Sequence, residues 1–181
     1  MKKEEKTNIE NIIYKGKIIQ LNVDEVILPD GKKGEREIIH HRGGVCVLLN
    51  VDGKIPLVKQ YRYAYKEETL ELPAGKLEKD EDPYEAGLRE LEEETGWKAE
   101  SMIDFGYMYP SPGYTNEIIH LYVAQNAHRT EMHLDDDEYI DVFYYTIDEI
   151  LELIQQNKIN DAKTISLVLK YCQSIKYNSK N

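Results

Sequence analysis

The sequence predicts a mixed α/β (α+β) domain preceded by a small N-terminal antiparallel strand unit, and three observations support this. Runs of β-branched residues are interspersed with helix-type segments along the whole chain, which favours layered strands and helices. A strongly acidic stretch near the middle carries its own helix start and stop signals. At 181 residues, the chain is long enough for a real core in one domain with a small appendage.

Residues 1–11 are charged and read as loose chain. Residues 12–28, IIYKGKIIQLNVDEVIL, contain alternating and β-branched segments and end at the turn Pro29-Asp30-Gly31-Lys32. Residues 35–41 return as a strand, so residues 1–42 form the antiparallel unit, and Gly43-Gly44 separates it from a main domain over residues 43–181. There VCVLLNV reads as a buried strand that turns at Asp52-Gly53 into a hairpin partner over residues 55–63. Residues 69–72 are a short strand leading into Pro73-Ala74-Gly75. Past the acidic stretch, residues 98–109 and 117–124 are strands around the loop Pro110-Ser111-Pro112-Gly113-Tyr114. The acidic run HLDDDE then precedes a strand over residues 139–145. Thr146 and Glu149 make a capping box for a helix to about residue 156. Residues 161–175 form a second helix, with apolar side chains at 162, 165, 168, 169 and 172. The chain has no internal repeat.

The acidic stretch is residues 75–97, GKLEKDEDPYEAGLRELEEETGW. Asp82 can cap a helix whose first position is Pro83, with Glu85 completing a capping box. Gly96 supplies the left-handed residue that ends the helix. At about 100° per residue, Tyr84, Leu88, Leu91 and Thr95 share one side, suited to packing on a sheet. Glu90 and Glu94 lie one turn apart beside that stripe, with Glu93 next to them. These three carboxylates repel one another, and they sit in the last turn, where the helix dipole disfavours negative charge. A divalent cation resolves both conflicts, and oxygen-only ligands indicate Mg²⁺ or Mn²⁺ over zinc. The alternative is a solvated acidic face balanced by Arg89.

Spacing decides between the two. Gly75, five residues, Glu81, seven residues, then Arg89-Glu90-Leu91-Glu92-Glu93-Glu94-Thr95-Gly96-Trp97 fits the Nudix box at every fixed position. Trp97 alone departs mildly, standing where an aliphatic residue is commoner. The chain thus resembles the Nudix hydrolases. That resemblance implies an α/β/α sandwich with a mixed sheet, the box as a loop-helix-loop at its edge, and metal-assisted attack on a diphosphate.

Outside the box, residues 14–171 resemble bacterial ADP-ribose pyrophosphatases through shorter motifs. In Val58-Lys59-Gln60-Tyr61-Arg62-Tyr63 the resemblance makes Arg62 a diphosphate ligand, a task suited to a guanidinium. In Glu71-Leu72-Pro73-Ala74-Gly75 it makes the Ala74 carbonyl a metal ligand beside Glu90, Glu93 and Glu94, with Glu71 a further substrate or metal contact. Pro112 marks the ADP-ribose subgroup, Gly113 lets backbone approach the substrate, and Glu117 matches an acid beside the metals and terminal ribose. In the acidic loop Glu138 matches the residue that activates the attacking water, with Asp137 an offset choice and Glu93 a competing base. Arg89 fixes the box carboxylates and Glu81 steadies the box loop. The implied reaction is Mg²⁺-dependent cleavage of ADP-ribose to AMP and ribose 5-phosphate by a homodimer whose exchanged N-terminal strands help build the adenosine site. Tyr14 and Tyr114 are both open as adenine-stacking residues.

Composition limits the partners. Lys plus Arg 23 against Asp plus Glu 34 gives a formal charge of −11, unsuited to a bare nucleic-acid surface. The N-terminus lacks the apolar core of a signal peptide and no run reaches membrane-span length, so a cytoplasmic protein is expected. Cys46 and Cys172 form no disulfide framework or zinc motif. His40 and His41 alternate across a strand and read as strand surface, and His120, His128 and His133 lack ligand spacing. Three rivals stand beside ADP-ribose hydrolysis: another nucleoside diphosphate substrate, a non-catalytic ADP-ribose sensor, and an enzyme for capped RNA. The complete set of box carboxylates argues against the sensor, and low basic content argues against RNA.

Overall fold

Residues 20–27 turn Asn22, Asp24 and Val26 inward on one face, and the first part of the fold is built round this strand. The computed structural model describes residues 3–134 and 138–178. They fall into two units, Met1–Gly43 with Tyr109–Ile118, and Gly44–Met108 with Ile119–Asn181.

The first unit holds β1 (Lys6–Ile9), β2 (Ile12–Lys15), β3 (Gln20–Ile27) and β4 (Lys33–His40). These four strands pair antiparallel. β1 and β2 share one edge of β3, while β4 runs along the other from Gln20↔His40 to Ile27↔Lys33. At the break between β1 and β2, the Asn11 N–H donates to Asp24 Oδ1 at 3.0 Å and the Asn11 carbonyl accepts from the Val23 N–H at 2.9 Å. Residues 6–9 are therefore ordered strand and not the loose chain expected, because the open edge of β3 offers them backbone partners. The Pro-Gly loop joins this unit too. The Ile39 N–H donates to the Tyr114 carbonyl at 2.7 Å, the Asn116 N–H to the Ile39 carbonyl at 3.1 Å, and the His41 N–H to Asn116 Oδ1 at 2.9 Å. Beside that segment His40 and His41 are half-buried, not strand surface.

The second unit contains β5 (Gly44–Leu49), β6 (Lys54–Arg62), β7 (Glu67–Glu71), β8 (Ala74–Lys76), α1 (Pro83–Thr95), β9 (Trp97–Met108), β10 (Ile119–Arg129), β11 (Asp141–Thr146), α2 (Ile147–Gln155) and α3 (Ala162–Asn178). One sheet has the order β8-β5-β10-β9, mixed because β5 and β10 are parallel, and a second has the order β11-β6-β7. β5 is buried at every position. Val45, Val47 and Leu49 pack in a cluster with Ala86 and Leu91 of α1. Cys46 and Leu48 pack in another with Ile55 and Leu57 of β6, Ile150 of α2, and Leu167 and Val168 of α3. This puts α1 on one side of the sheet and α2 with α3 on the other, the α/β/α sandwich expected.

One expectation fails here. β5 and β6 are not a paired hairpin: they lie in different sheets and touch through side chains, and the one backbone bridge between their segments, Val51↔Lys54, falls just past the end of β5, around a turn with Asp52 at φ 50° and Gly53 at φ 83°. A strand apolar on both faces needs neighbours on both edges. β5 takes β10 and β8, which leaves β6 to pair with β11 and β7.

Candidate active site

The helix α1 starts and stops on its own sequence signals. Asp82 accepts from the Tyr84 N–H at 2.8 Å, Pro83 occupies the first position, and Gly96 at φ 65° closes the helix with its N–H on the Glu92 carbonyl at 2.8 Å. The N-cap rests on the Asp82–Tyr84 bond in place of the reciprocal box expected with Glu85. No basic residue lies in the last turn. Arg129 of β10 supplies the missing cation, donating from Nη1 to the Thr95 carbonyl at 2.7 Å. Its guanidinium stands 5.1 Å from the centre of the Trp97 ring, whose Nε1 donates to Tyr144 Oη at 2.9 Å. The aromatic departure from the box thus has bonding partners of its own.

The buried face of α1 differs from the stripe expected. Ala86, Gly87, Glu90, Leu91, Glu94 and Thr95 are inside, while Tyr84 and Leu88 are half-buried at its margin. Gly87 permits a close approach, since a Cβ there would meet Met102 Cε at 2.8 Å and Tyr122 Cδ2 at 3.3 Å. With the helix so placed, Glu90 is 8% exposed and Glu94 only 2%.

Around these carboxylates the protein supplies few donors. Glu94 Oε2 accepts from the Ala74 N–H at 2.8 Å. Arg89 forks onto Glu81 at 2.9 and 3.0 Å, and its Nη1 reaches Glu90 Oε1 at 2.9 Å and Glu93 Oε2 at 2.8 Å. Glu81 also accepts from the Glu78 N–H at 2.8 Å, so its bonds and those of Arg89 join the loop to the helix. Among the described residues, the second oxygen of Glu90, of Glu93 and of Glu94 has no protein donor. Burial pushes Glu90 up to about 7, with Arg89 opposing and the charges of Glu93 and Glu138 adding to it. Burial likewise pushes Glu94 up to about 8, against the Ala74 bond and with the charges of Glu90 and Glu138.

Glu138 is half-buried and close enough for its charge to act on both box glutamates. Its loop is tied to the end of α1, with the Thr130 N–H on the Gly96 carbonyl at 2.8 Å and the His133 N–H on the Glu93 carbonyl at 3.1 Å. Asp137 lies outside the described residues. Gly113 and Glu117 belong to the first unit. There Glu117 Oε1 is 3.3 Å from His41 Nδ1, and a Cβ on Gly113 would meet nothing within 4 Å.

A second polar group, largely unread in the sequence, lies at the end of β6. Glu71, 2% exposed, receives Arg62 Nε at 2.7 Å and Thr69 Oγ1 at 2.6 Å on Oε1, and Arg62 Nη2 at 2.6 Å and Lys163 Nζ at 2.5 Å on Oε2. Its four acceptor sites are filled by protein donors, so Glu71 is not the further metal or substrate contact suggested by the motif. Against burial, Arg62 and Lys163 bring its carboxyl down to about 2. Lys163 and Asp161 escaped sequence reasoning, although one signal existed: a lysine in the first turn of a helix opposes the dipole and calls for an anionic partner.

Among the described residues, no three Asp, Glu, His or Cys side chains are gathered as a ready metal cluster. The donor set nevertheless fits a hard divalent cation. Glu90 and Glu94 are buried, each keeps one oxygen without a protein donor among the described residues, and one guanidinium, that of Arg89, reaches Glu90 and Glu93.

A sandwich carrying such a helix defines a class, and the comparisons name it: residues 39–168 match the NUDIX domain model, and the chain belongs to the Nudix family of hydrolases. Members generally use divalent metal ions. Residues 5–39 match the nucleoside diphosphate sugar hydrolase N-terminal domain. The chain is 43% identical over 173 residues to an ADP-ribose pyrophosphatase of Bacillus subtilis and 44% identical over 173 residues to a methanol dehydrogenase activator of Bacillus methanolicus, in each case over 94% of this chain and 93% of the relative. A GDP-mannose pyrophosphatase of Yersinia enterocolitica is 35% identical over 150 residues, 76% of this chain and 77% of the relative. The crystal structure of an ADP compounds hydrolase shares the fold, with a TM-score of 0.86 at 18% identity over 98% of this chain and 97% of that one.

Proposed function

We propose that this protein hydrolyses the diphosphate of ADP-ribose to AMP and ribose 5-phosphate in the presence of Mg²⁺, with Mn²⁺ able to substitute. The observation that carries this reading is the buried pair Glu90 and Glu94, each with one oxygen unclaimed by protein donors among the described residues. The likeness to an ADP-ribose pyrophosphatase supports the choice of substrate. Glu90, Glu93, Glu94 and the Ala74 carbonyl would hold the divalent ion, which when bound neutralises diphosphate charge and makes the attacking water more acidic. Arg62 binds the diphosphate through donors that Glu71 leaves free. Glu138 accepts the proton as water attacks phosphorus and the bridging oxygen departs with the other phosphate. Arg89 holds Glu81, Glu90 and Glu93 in place.

The second reading is a wider range of nucleoside diphosphate sugars, favoured by the likeness to GDP-mannose pyrophosphatases. A panel containing ADP-ribose, GDP-mannose and nucleoside triphosphates, assayed with Mg²⁺ or Mn²⁺ for nucleotide and phosphosugar release, separates the two. Fastest turnover of ADP-ribose supports the first reading, and turnover of triphosphates alone rejects both. In ¹⁸O water the label reports which phosphorus is attacked.

A homodimer is part of the same proposal. Ile9, Ile12, Ile13 and Tyr14 of β1 and β2 are each more than half exposed, an apolar edge suited to a second copy. Gel filtration showing monomer alone would count against it.

A further inference from the structure

We propose that Lys163 is a positioning residue for the diphosphate-binding Arg62, acting through the carboxylate of Glu71. The inference rests on the role of Arg62 proposed above and adds the device that aims it. Arg62 spends its Nε and one Nη2 hydrogen on Glu71, at 2.7 and 2.6 Å. Of its five N–H groups three remain, two on Nη1 and one on Nη2, at the end of a side chain that is 38% exposed. The plane of the guanidinium is therefore set by the plane of the carboxylate.

Two further donors set that carboxylate plane. Thr69 Oγ1 holds Oε1 at 2.6 Å and Lys163 Nζ holds Oε2 at 2.5 Å. Lys163 is fixed in turn, because its Nζ also donates to Asp161 Oδ1 at 2.9 Å. Asp161 caps α3 through Oδ2, which accepts from the Thr164 N–H at 2.9 Å and from Thr164 Oγ1 at 2.6 Å. The Thr164 hydroxyl accepts from the N–H of Leu72 at 2.8 Å, tying the start of α3 to the residue that follows Glu71. Helix start, lysine, carboxylate and guanidinium form one chain of bonds.

Stability alone is a poor account of this arrangement. A cation held within the first turn opposes the helix dipole, and burying an ammonium carries a desolvation cost that an apolar side chain would avoid. What Lys163 supplies is orientation. Without it, one hydroxyl would hold Glu71 from outside the fork, and the fork could swing.

The test is a double-mutant cycle on kcat and KM for ADP-ribose with Mg²⁺. Lys163→Met should raise KM roughly tenfold, the scale of one charge-assisted hydrogen bond, with a smaller change in kcat. In an Arg62→Ala background the same substitution should change KM less than about twofold. Equal factors in both backgrounds would overturn the inference while leaving Arg62 as a substrate ligand. An unchanged KM in Arg62→Ala alone would overturn both. Thr69→Val removes the donor on the other oxygen with little change of shape. Its effect on KM should also vanish without Arg62, so the cycle can be completed if Lys163→Met does not fold.

Discussion

The carboxylate of Glu90 occupies the space that a side chain at position 75 would need: a Cβ on Gly75 would lie 1.8 Å from Glu90 Oε1 and 1.9 Å from its Cδ. Gly75 sits in β8, opposite Val45 of β5, so its backbone has no room to retreat. Gly75→Ala must therefore push Glu90 out of place. We expect a loss of about 1–3 kcal/mol in stability from overpacking and a fall in turnover of roughly 100-fold or more from a displaced carboxylate. Thermal unfolding and steady-state kinetics on one preparation check both, and a fully active variant would contradict the geometry.

Glu94→Gln separates charge from shape. The native carboxyl, raised to about 8 by burial, is largely protonated at neutral pH without metal, so a neutral isostere costs the metal-free fold little. Its melting temperature in a chelator should match or exceed that of the parent, while turnover falls by about three orders of magnitude or more. Retained activity would remove Glu94 from the metal site.

The sign of the pH dependence follows from the same groups. Glu90 and Glu94 rise from an ordinary 4.5 to about 7 and about 8 in the folded chain. Their contribution to stability is complete below the unfolded value of 4.5 and is lost as pH climbs through 7 and 8, because only the unfolded chain ionises freely. At about 1.4 kcal/mol per unit, the loss is on the order of a few kcal/mol for each group. In a chelator, the melting temperature should fall between mildly acidic and mildly alkaline buffer. Added Mg²⁺ should raise it far more at the alkaline end, where protons no longer compete for the carboxylates. Equal stabilisation by Mg²⁺ at both ends would place the ion elsewhere.

Glu138 acts at a distance on both box glutamates, from a loop bonded to the end of α1. Glu138→Gln keeps the size and removes the proposed base. We expect kcat to fall by about 100-fold or more with KM changed severalfold at most. Raised KM with kcat intact would make Glu138 a substrate contact, and the search for a base would move to Glu93.

Much of this site is short-range and could be read directly from residues. The spacing of Glu81, Arg89, Glu90, Glu93 and Glu94 lies within one loop and one helix, where caps and the 3.6-residue period determine which side chains are neighbours. Arg89 does bridge Glu81, Glu90 and Glu93, and Gly96 does end the helix. The sequence by itself determined the box helix, the ends of that helix, the mixed sandwich and the family. It did not determine how deep the glutamates lie. That depends on Gly87 against Met102 and Tyr122, and on Gly75 against Glu90, contacts between segments remote in sequence.

The same limit explains the failed hairpin and the missed lysine. The partners of β5 are chosen by burial on both faces and both edges, which no local rule encodes, so β10 and β8 flank it and β6 does not. Lys163 meets Glu71 where the bond from the Leu72 N–H to the Thr164 hydroxyl ties the start of α3 to the end of β7. Tertiary structure decided the depth of the carboxylates, the partners of the central strand and the aim of Arg62, because each is set by which remote surfaces exclude water together.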